Sequence, residues 1–396
     1  MANSSITANL IVKQWSKQFF KYGLSKMFFS KFIGAYGEAF DPAMGDKRVT
    51  VLSDPNALIQ IKMDLSRAPG DTITFPMLAP LTGHGRVQAA TATNGSGKRV
   101  LEGNEEAMNQ YSWPITLFEW AHSVVTMGKL MERQPAFSVS DSMTANLGLW
   151  WAKILDEATY DAMAGLGLVD DGSVAIVSAA APSRKLTGGC TAGTVNYRVT
   201  DAALVTGEYM SFEMIDKARQ NAMSDASGPT IRPVILDGVE TYFCFMSTKQ
   251  ANDLRNDAGA SVNITWKEAQ LHAAVRGRDN PIFRNNFLGF YNNVALFEYP
   301  NVASRTGTGA GENLATNTFD TGDVVYSGTE AHRALFCGAC AAVHAYGSMP
   351  DFVDKLFQYD TQRGRSLQTI CAIGRPEFNS IDYGVSVLDT DVSVKG

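Results

Sequence analysis

Residues 140–164 read SDSMTANLGLWWAKILDEATYDAMA, and the reading of this stretch decides the fold. Met143, Leu147, Trp151, Ile154 and Ala158 fall on one stripe at helical spacing, Trp150 widens it, and Lys153 and Asp156 face away. Ser140 or Asp141 supplies an N-cap, and Gly165 and Gly167 stop the helix. At 1.5 Å per residue the segment is about 37 Å long, a rod rather than a connector. Gly148 in its middle costs about 0.5–1 kcal/mol against Ala, which predicts that another element packs close there.

Upstream, short strands flank one long polar interval. Val49 to Leu65 is mostly extended, and Ala68-Pro69-Gly70-Asp71 has Pro and Gly where the central positions of a type II turn want them. DTITFPML (71–78) follows as strand, and SWPITLFEWAHSVVTMG (112–128) resumes the strand pattern. Residues 80–111 between them carry almost no hydrophobic period. Loops beyond about 12–15 residues without structure of their own are uncommon in compact domains. An interval this polar has no core to hold it, so its support comes from something else, foremost another copy of the chain. Its tip carries both signs, Lys98 and Arg99 followed by Glu102, Glu105 and Glu106, which suits ion pairing with an identical neighbour.

Downstream, a Gly/Ser/Ala-rich connector (167–207) leads into a second unit. Met210 to Met223 reads as a helix, and IRPVILDGVETYFCFMS (231–247) as a hairpin turned by Asp237-Gly238. Helices near 248–256 and 265–276 and an apolar strand over Phe287–Tyr299 follow. A polar excursion from Ala303 to Glu330 precedes strands at Ala334–Tyr346, Gln368–Gly374 and Ile381–Leu388. The class is α+β.

Composition narrows the function. Of 396 residues 45% are hydrophobic and 19% charged, enough for one large core or two to three smaller ones, and the net charge of -6 argues against a nucleic-acid grip as the main work. Five cysteines (Cys190, Cys244, Cys337, Cys340, Cys371) are too few and too scattered for a disulfide framework and fit a reducing compartment. Near the start, Lys13, Lys17 and Lys21 break any secretion signal, and nothing later reaches the ~20 apolar residues of a membrane span. The same lysines lie opposite Val12, Trp15, Phe19 and Tyr22 on one helix. Such a helix can lie on a membrane, but docking of its aromatic face, Trp15 and Phe19 foremost, on protein is the better reading.

The catalytic inventory is poor. NGSGKRVLEGNEEA (94–107) holds a Gly-Lys, yet Ala92 stands where a phosphate-binding loop needs glycine and Arg99 where it needs a hydroxyl. His332, Cys337, Cys340 and His344 have zinc-like spacing. They lie, however, in the small-apolar run ALFCGACAAVHAYG, where a buried strand explains them better. Gly307, Gly309 and Gly311 lack the strand and helix of a dinucleotide site. The five histidines form no H-E-x-x-H, and there is no G-x-S-x-G elbow. No cofactor and no enzymatic role is expected. The competing readings, a nucleotide- or metal-binding enzyme and a peripheral membrane protein held by residues 8–22, rest on these weak signals.

GDTITFPMLAPLTGHG (70–85), LEGNEEAM (101–108), WWAKILDEATYDAMAG (150–165), IRPVILDGVETYFCFM (231–246), NPIFRNNFLGFYNNVALFE (280–298) and FNSIDYGVSVLDT (378–390) together resemble the major capsid proteins of schitovirus-like tailed phages and related phage families. The resemblance spans roughly residues 70–390. It implies the shell fold of tailed phages and the herpesvirus capsid floor: an N-terminal arm (1–47), a peripheral domain (48–79 and 112–205) with spine helix 140–164, an extended loop (80–111), an axial domain (206–362) and a return to the peripheral domain (363–396). It further implies pentamers and hexamers of an icosahedral head, assembled in the host bacterial cytoplasm around double-stranded DNA that is touched only non-specifically. The implied partners are copies of the chain, a scaffolding protein, a portal and a decoration protein. Fewer than seventy residues precede the first matching block, so a separate scaffolding protein is expected. Lys98 stands where some shells crosslink, although a lone exposed lysine is ordinarily solubilising.

Overall fold

The computed structural model describes residues 27–34, 56–62, 70–78, 81, 105–108, 110–126, 128, 139–166, 169–170, 174–175, 183–191, 194–198, 207–224, 230–236, 238–255, 287–302, 304–306 and 330–392. The chain opens with a 3-10 turn (Phe29–Phe32), β1 (Ile33–Gly34), β2 (Ile59–Lys62), β3 (Thr72–Leu78), β4 (Gln110–Thr116), β5 (Phe118–Val125) and helix α1 (Val139–Ala164). Next come β6 (Val169–Asp170), β7 (Val174–Ala175), β8 (Lys185–Thr191), β9 (Thr194–Arg198), α2 (Phe212–Met223), β10 (Val234–Leu236), β11 (Val239–Met246) and α3 (Thr248–Arg255). The remainder is all strand: β12 (Phe287–Tyr291), β13 (Val294–Glu298), β14 (Ser304–Thr306), β15 (Glu330–Cys337), β16 (Ala342–Phe357), β17 (Gln362–Gly374), β18 (Glu377–Phe378), β19 (Ile381–Asp382) and β20 (Val385–Asp391).

α1 starts at Val139, so Ser140 and Asp141 fall inside its first turn. Its first half is amphipathic: Met143, Leu147 and Trp151 are buried, while Lys153 is exposed and pairs with Glu157 at 3.5 Å. From Leu155 to Ala164 nearly every side chain is buried, including Asp156, Thr159 and Asp161. Asp156 thus turns inward, against the outward reading, because this half of the helix is enclosed on all sides. Gly165, at φ +77°, ends the helix in the left-handed conformation, and the Leu166 N–H returns to the Asp161 carbonyl at 2.8 Å.

The first sheet, β1-β2-β16-β17-β5, lies along α1. Trp120 meets Trp151 edge to face at 5.7 Å, and His122 stacks on Trp150 at 4.4 Å. Leu367, Cys371 and Ile373 of β17 complete that core with Leu147, Leu155 and Ala158 of the helix. The paired strands β3 and β4 cover part of the opposite face, where Ile73 and Ile115 meet Ala345 and Ala372.

The second sheet runs β12-β13-β11-β15-β20-β8-β9, with β10 added on β11 and β14 on β15. Both faces are buried, so its central strands read as nearly unbroken apolar runs. Tyr242, Cys244 and Met246 of β11 face α2 and α3, whereas Phe243 and Phe245 face the end of α1 and the N-terminal segment. Ser211 caps α2 by accepting from the Met214 N–H at 3.4 Å.

The run Ala334–Tyr346 is not one strand. It breaks after Cys337 and passes from the second sheet into the first. The crossing is tight: a Cβ on Gly338 would lie 2.4 Å from the Arg232 carbonyl oxygen, and one on Gly384 2.4 Å from that of Cys340. Small residues therefore serve a close passage of backbones here. Phe287–Tyr299 is likewise divided, into the β12–β13 hairpin, whose turn residues Asn292 and Asn293 adopt φ of +46° and +60°.

These topologies bear on the expected domain bounds. A boundary at residue 362 would cut the β16–β17 hairpin from its own sheet, because Ala342–Phe357 pairs with Gln362–Gly374. β20, expected to return to the peripheral part, lies in the second sheet beside β15, and so do β8 and β9. Strand pairing therefore separates the chain along lines other than 206–362 and 363–396.

A Cβ on Gly148 meets nothing within 4 Å, so the close approach expected there is absent within the described subunit. Gly148→Ala should stabilise the unassembled subunit by about 0.5–1 kcal/mol, measured by urea unfolding followed by circular dichroism. Unchanged or lowered stability would contradict an open site.

Candidate assembly surfaces

Helix geometry leaves the last carbonyls of α1 without intrahelical donors. Two buried arginines supply them, one from each side. Arg333 in β15 donates from Nη1 to the Ala164 carbonyl at 3.0 Å, and Arg375, just after β17, donates from Nη1 to the Met163 carbonyl at 3.2 Å. A buried guanidinium needs a counter-charge. Arg333 grips Asp389 through two bonds, Nε to Oδ1 at 2.8 Å and Nη2 to Oδ2 at 3.0 Å. Arg375 lies 2.7 Å from Asp382 Oδ1, and the other oxygen of Asp382 accepts from the Ser183 N–H at 2.8 Å. The Tyr160 hydroxyl donates to the Arg333 carbonyl, tying β15 to the helix a second time. The helix end is thus bolted to β15 of the second sheet and to the segment that leaves β17 of the first.

The N-terminal segment docks beside this clamp. Phe29 is fully buried, and Phe28 and Phe32 pack with it against Phe243, Phe245, Phe297 and Tyr299 at ring distances of 5.1–6.5 Å. The backbone N–H groups of Phe28 and Phe29 donate to the two Asp156 oxygens at 2.5 and 2.9 Å. Desolvation nonetheless raises the Asp156 carboxyl above its usual value; the two N–H bonds act against that rise. Ile33 and Gly34 then pair in parallel with Ile59 and Gln60. Residues 27–34, within the expected N-terminal arm (1–47), therefore belong to the core of their own subunit. Trp15 and Phe19 fall outside the described residues.

The strands β3 and β4 pair from Thr72↔Thr116 to Leu78↔Gln110. The chain leaves the ladder after Leu78 and rejoins it at Gln110, so residues 79–109 are an excursion between two paired strands. Lys98, Arg99 and Glu102 lie outside the described residues; Glu105 and Glu106 are described and exposed.

The zinc-like set is not brought together. His332 and Cys337 lie on β15 in the second sheet, Cys340 in the crossing, and His344 on β16 in the first sheet. His332 Nδ1 is 2.7 Å from Ser247 Oγ. Burial pushes the Cys340 thiol up to about 11 and holds Cys337 well above its ordinary value, the opposite of what thiolate ligation wants. Among the described residues no group of three or more His, Cys, Asp or Glu could hold a metal ion, and no helix is long and apolar enough to cross a membrane.

A long helix clamped to two sheets, and a strand pair from whose end a long polar interval departs, are parts of a building block. The family of phage capsid proteins matches residues 3–395. The chain belongs to that family. It is 24% identical to the major capsid protein of Pseudomonas phage KPP25, with 94% of this chain and 92% of that protein covered. Among solved structures it is similar to the capsid of Ralstonia phage GP4 (TM-score 0.70, 24% identity, 100% of both chains) and to the Cyanophage Pam1 capsid asymmetric unit (TM-score 0.68, 17% identity, 100% of both chains). The fold is the tailed-phage capsid fold, α+β as read from the sequence. This capsid protein is a structural component of the phage shell, without enzymatic work, and assembles with copies of itself.

Sequence reasoning missed the clamp. Its one trace was a charged residue, Arg333, inside an apolar run, matched by Asp389 in another. It also missed two buried titratable groups of the capsid protein that oppose each other. The Thr159 hydroxyl donates to the Leu155 carbonyl at 2.6 Å and so accepts from His344 Nε2 at 2.9 Å, leaving Nδ1 without a partner among the described residues. Burial lowers His344 from 6.5 to about 4. Burial, with Glu157 adding repulsion, raises Asp161 from 3.8 to about 7. As pH falls from 6.5 to 4 the unfolded chain protonates its histidine while the folded one does not, which removes stability. Over 7 to 3.8 the folded chain retains the Asp161 proton that the unfolded chain gives up, so acidification adds stability. His344→Gln should therefore gain stability relative to the parent on acidification, by about 1.4 kcal/mol per pH unit, and Asp161→Asn should lose it at a similar rate. Urea unfolding from pH 7 to 4.5 checks both slopes.

Proposed function

We propose that the subunit forms the pentamers and hexamers of an icosahedral head enclosing double-stranded DNA, with the excursion at 79–109 reaching over an adjacent subunit. The observation that supports this reading is the β3–β4 ladder, which stays paired to Leu78↔Gln110 and then releases a long polar interval from its end. Polar chain without its own core is ordered only against a surface, and identical subunits in rings offer the same surface to every copy. Lys98 and Arg99 would face acidic groups of a neighbour, and Glu102, Glu105 and Glu106 basic ones. Trp15 and Phe19, on the N-terminal side of the anchor at 27–34, would add an aromatic contact from the N-terminal arm. Large obligate interfaces bury about 2,000–5,000 Å² or more, and projecting segments supply such area without a larger globular body.

In this assignment the peripheral part comprises α1 with the first sheet, including the whole β16–β17 hairpin, and the axial part comprises the second sheet with α2 and α3. A scaffolding protein, a portal and a decoration protein would be its partners, with assembly in the host bacterial cytoplasm. The net charge of -6 would keep packaged DNA from adhering to the inner wall.

Deleting residues 86–104 should leave a subunit with the parent's unfolding midpoint that makes no shells, as judged by negative-stain imaging and light scattering. Particles of normal size and number from the deleted chain would overturn the role given to the excursion.

A further inference from the structure

Residues 27–34 read MFFSKFIG, and different parts of that short string hold different parts of the subunit. Phe29 and Phe32, three apart, share a side of the 3-10 turn, while Ser30 and Lys31 are exposed. The rings lie on Phe243 and Phe245 of β11 and on Phe297 of β13, all in the second sheet. The backbone at Phe28 and Phe29 is held by α1, through the two bonds to Asp156. Ile33 and Gly34 continue as β1, the edge of the first sheet, on Ile59 and Gln60 of β2. Met27, at the other end, packs against the core that α1 shares with the first sheet and against the core that it shares with the second. One segment thus touches the helix and both sheets.

Its place along α1 matters mechanically. The arginine clamp grips the helix at Met163 and Ala164. Asp156 lies about 11 Å earlier along the axis at 1.5 Å per residue. A joint tied at one end yields to leverage, and a second tie at a distance resists it. In a shell this resistance has a use, because heterologous contacts between identical subunits close a surface only when the rotation from copy to copy repeats. A change in the angle between the two sheets redirects every contact that they carry, and with it the size at which the surface closes.

We infer that residues 27–34 are a strap that stiffens the angle between the two sheets, with Asp156 and Phe32 as its positioning residues, and that the strap holds the shell to one diameter. The inference rests on the shell reading above but concerns the inside of the subunit, not a contact between copies. The two oxygens of Asp156 each accept from one of two consecutive N–H groups, so the carboxylate fixes the direction of the strap as well as its position. Phe32 is only partly buried, whereas Phe29 is fully so, and shortening Phe32 therefore loosens the strap while its central anchor stays.

The test uses the full chain. Asp156→Asn keeps the volume and one acceptor oxygen but turns an NH2 group toward a backbone donor, and Phe32→Ala removes a ring that touches β11 and β13. In unassembled subunits, spin labels on Gln368→Cys in β17 and Glu240→Cys in β11, both exposed positions, read the distance between the sheets, with the parent chain as background for its native cysteines. Either strap variant should broaden that distance distribution, and Phe32→Leu should restore it. Expressed with the other head proteins of its phage, the parent should give shells of one diameter by negative-stain imaging, and the strap variants shells of several. Leu254→Ala, in the separate core under α2 and α3, is the control for stability alone: compared at equal folded fraction, it should change yield but not diameter. An unchanged distance distribution, or a loss of yield with no new diameter, would overturn the role of the strap while leaving the shell reading intact. A parent chain that makes no particles under these conditions would count against the shell reading itself.

Discussion

Two guanidinium groups and two peptide carbonyls at the end of one helix hold this subunit in its shape. Arg333 and Arg375 approach the last turn of α1 from different sheets and each brings its own carboxylate, Asp389 or Asp382. Taking such pairs out of water is costly, and replacing them by apolar groups of equal shape is often no worse for stability. Their contribution is geometric. A guanidinium fork accepts few orientations, so the helix end can sit against β15 and the chain leaving β17 in one way only. With the angle between helix and sheets fixed, the direction in which the β3–β4 ladder and the β16–β17 hairpin point is fixed as well. A shell of many identical subunits demands that constancy.

The rest of the packing is arranged around that junction. Asp156, about two turns before the clamp, holds the backbone of Phe28 and Phe29, and the aromatic rings of that segment fill the space between α1 and the second sheet. The chain crosses between sheets immediately beside it, at Gly338–Ala341, where the N–H groups of Cys340 and Ala341 donate to the carbonyls of Ala57 and Leu58 at 2.9 and 2.8 Å. Glycine at position 338 is required by the distance between backbones, since a Cβ there would lie 2.4 Å from the Arg232 carbonyl oxygen.

The sequence was legible where a single local period governs. The stripe of α1, the helix over Phe212–Met223 and the hairpin at Asp237-Gly238, where Gly238 takes φ +83°, follow from spacing and turn chemistry alone. Three things escaped because tertiary enclosure overrode the local pattern. Asp156 occupies a position that an amphipathic helix would give to solvent, and only an N-terminal segment more than a hundred residues away makes it an interior group. The run at 334–346 looked continuous because a chain crossing and a buried strand both favour small apolar residues. Asn292-Asn293 did signal a turn between the apolar stretches at 287 and 299, and the composition of the flanks hid it. The contact residues named from sequence in the arm and at the excursion's tip, Trp15, Phe19, Lys98, Arg99 and Glu102, lie outside the described residues, whereas the anchor of that arm was invisible without the groove that receives it.

That anchor also fixes an order of events during synthesis. The groove for Phe28, Phe29 and Phe32 is built from α1, β11 and β13, and β2, on which β1 lies, gains its other neighbour only from β16 at Ala342–Ala345. A ribosome moving from N- to C-terminus therefore delivers the first anchoring residues long before their seat exists, and contacts of such sequence separation close late. A nascent chain cut short before β16 has α1, β11 and β13 to receive the phenylalanine rings but lacks the strand that flanks β2, so the amino end is fully held only once Ala342–Ala345 have been made.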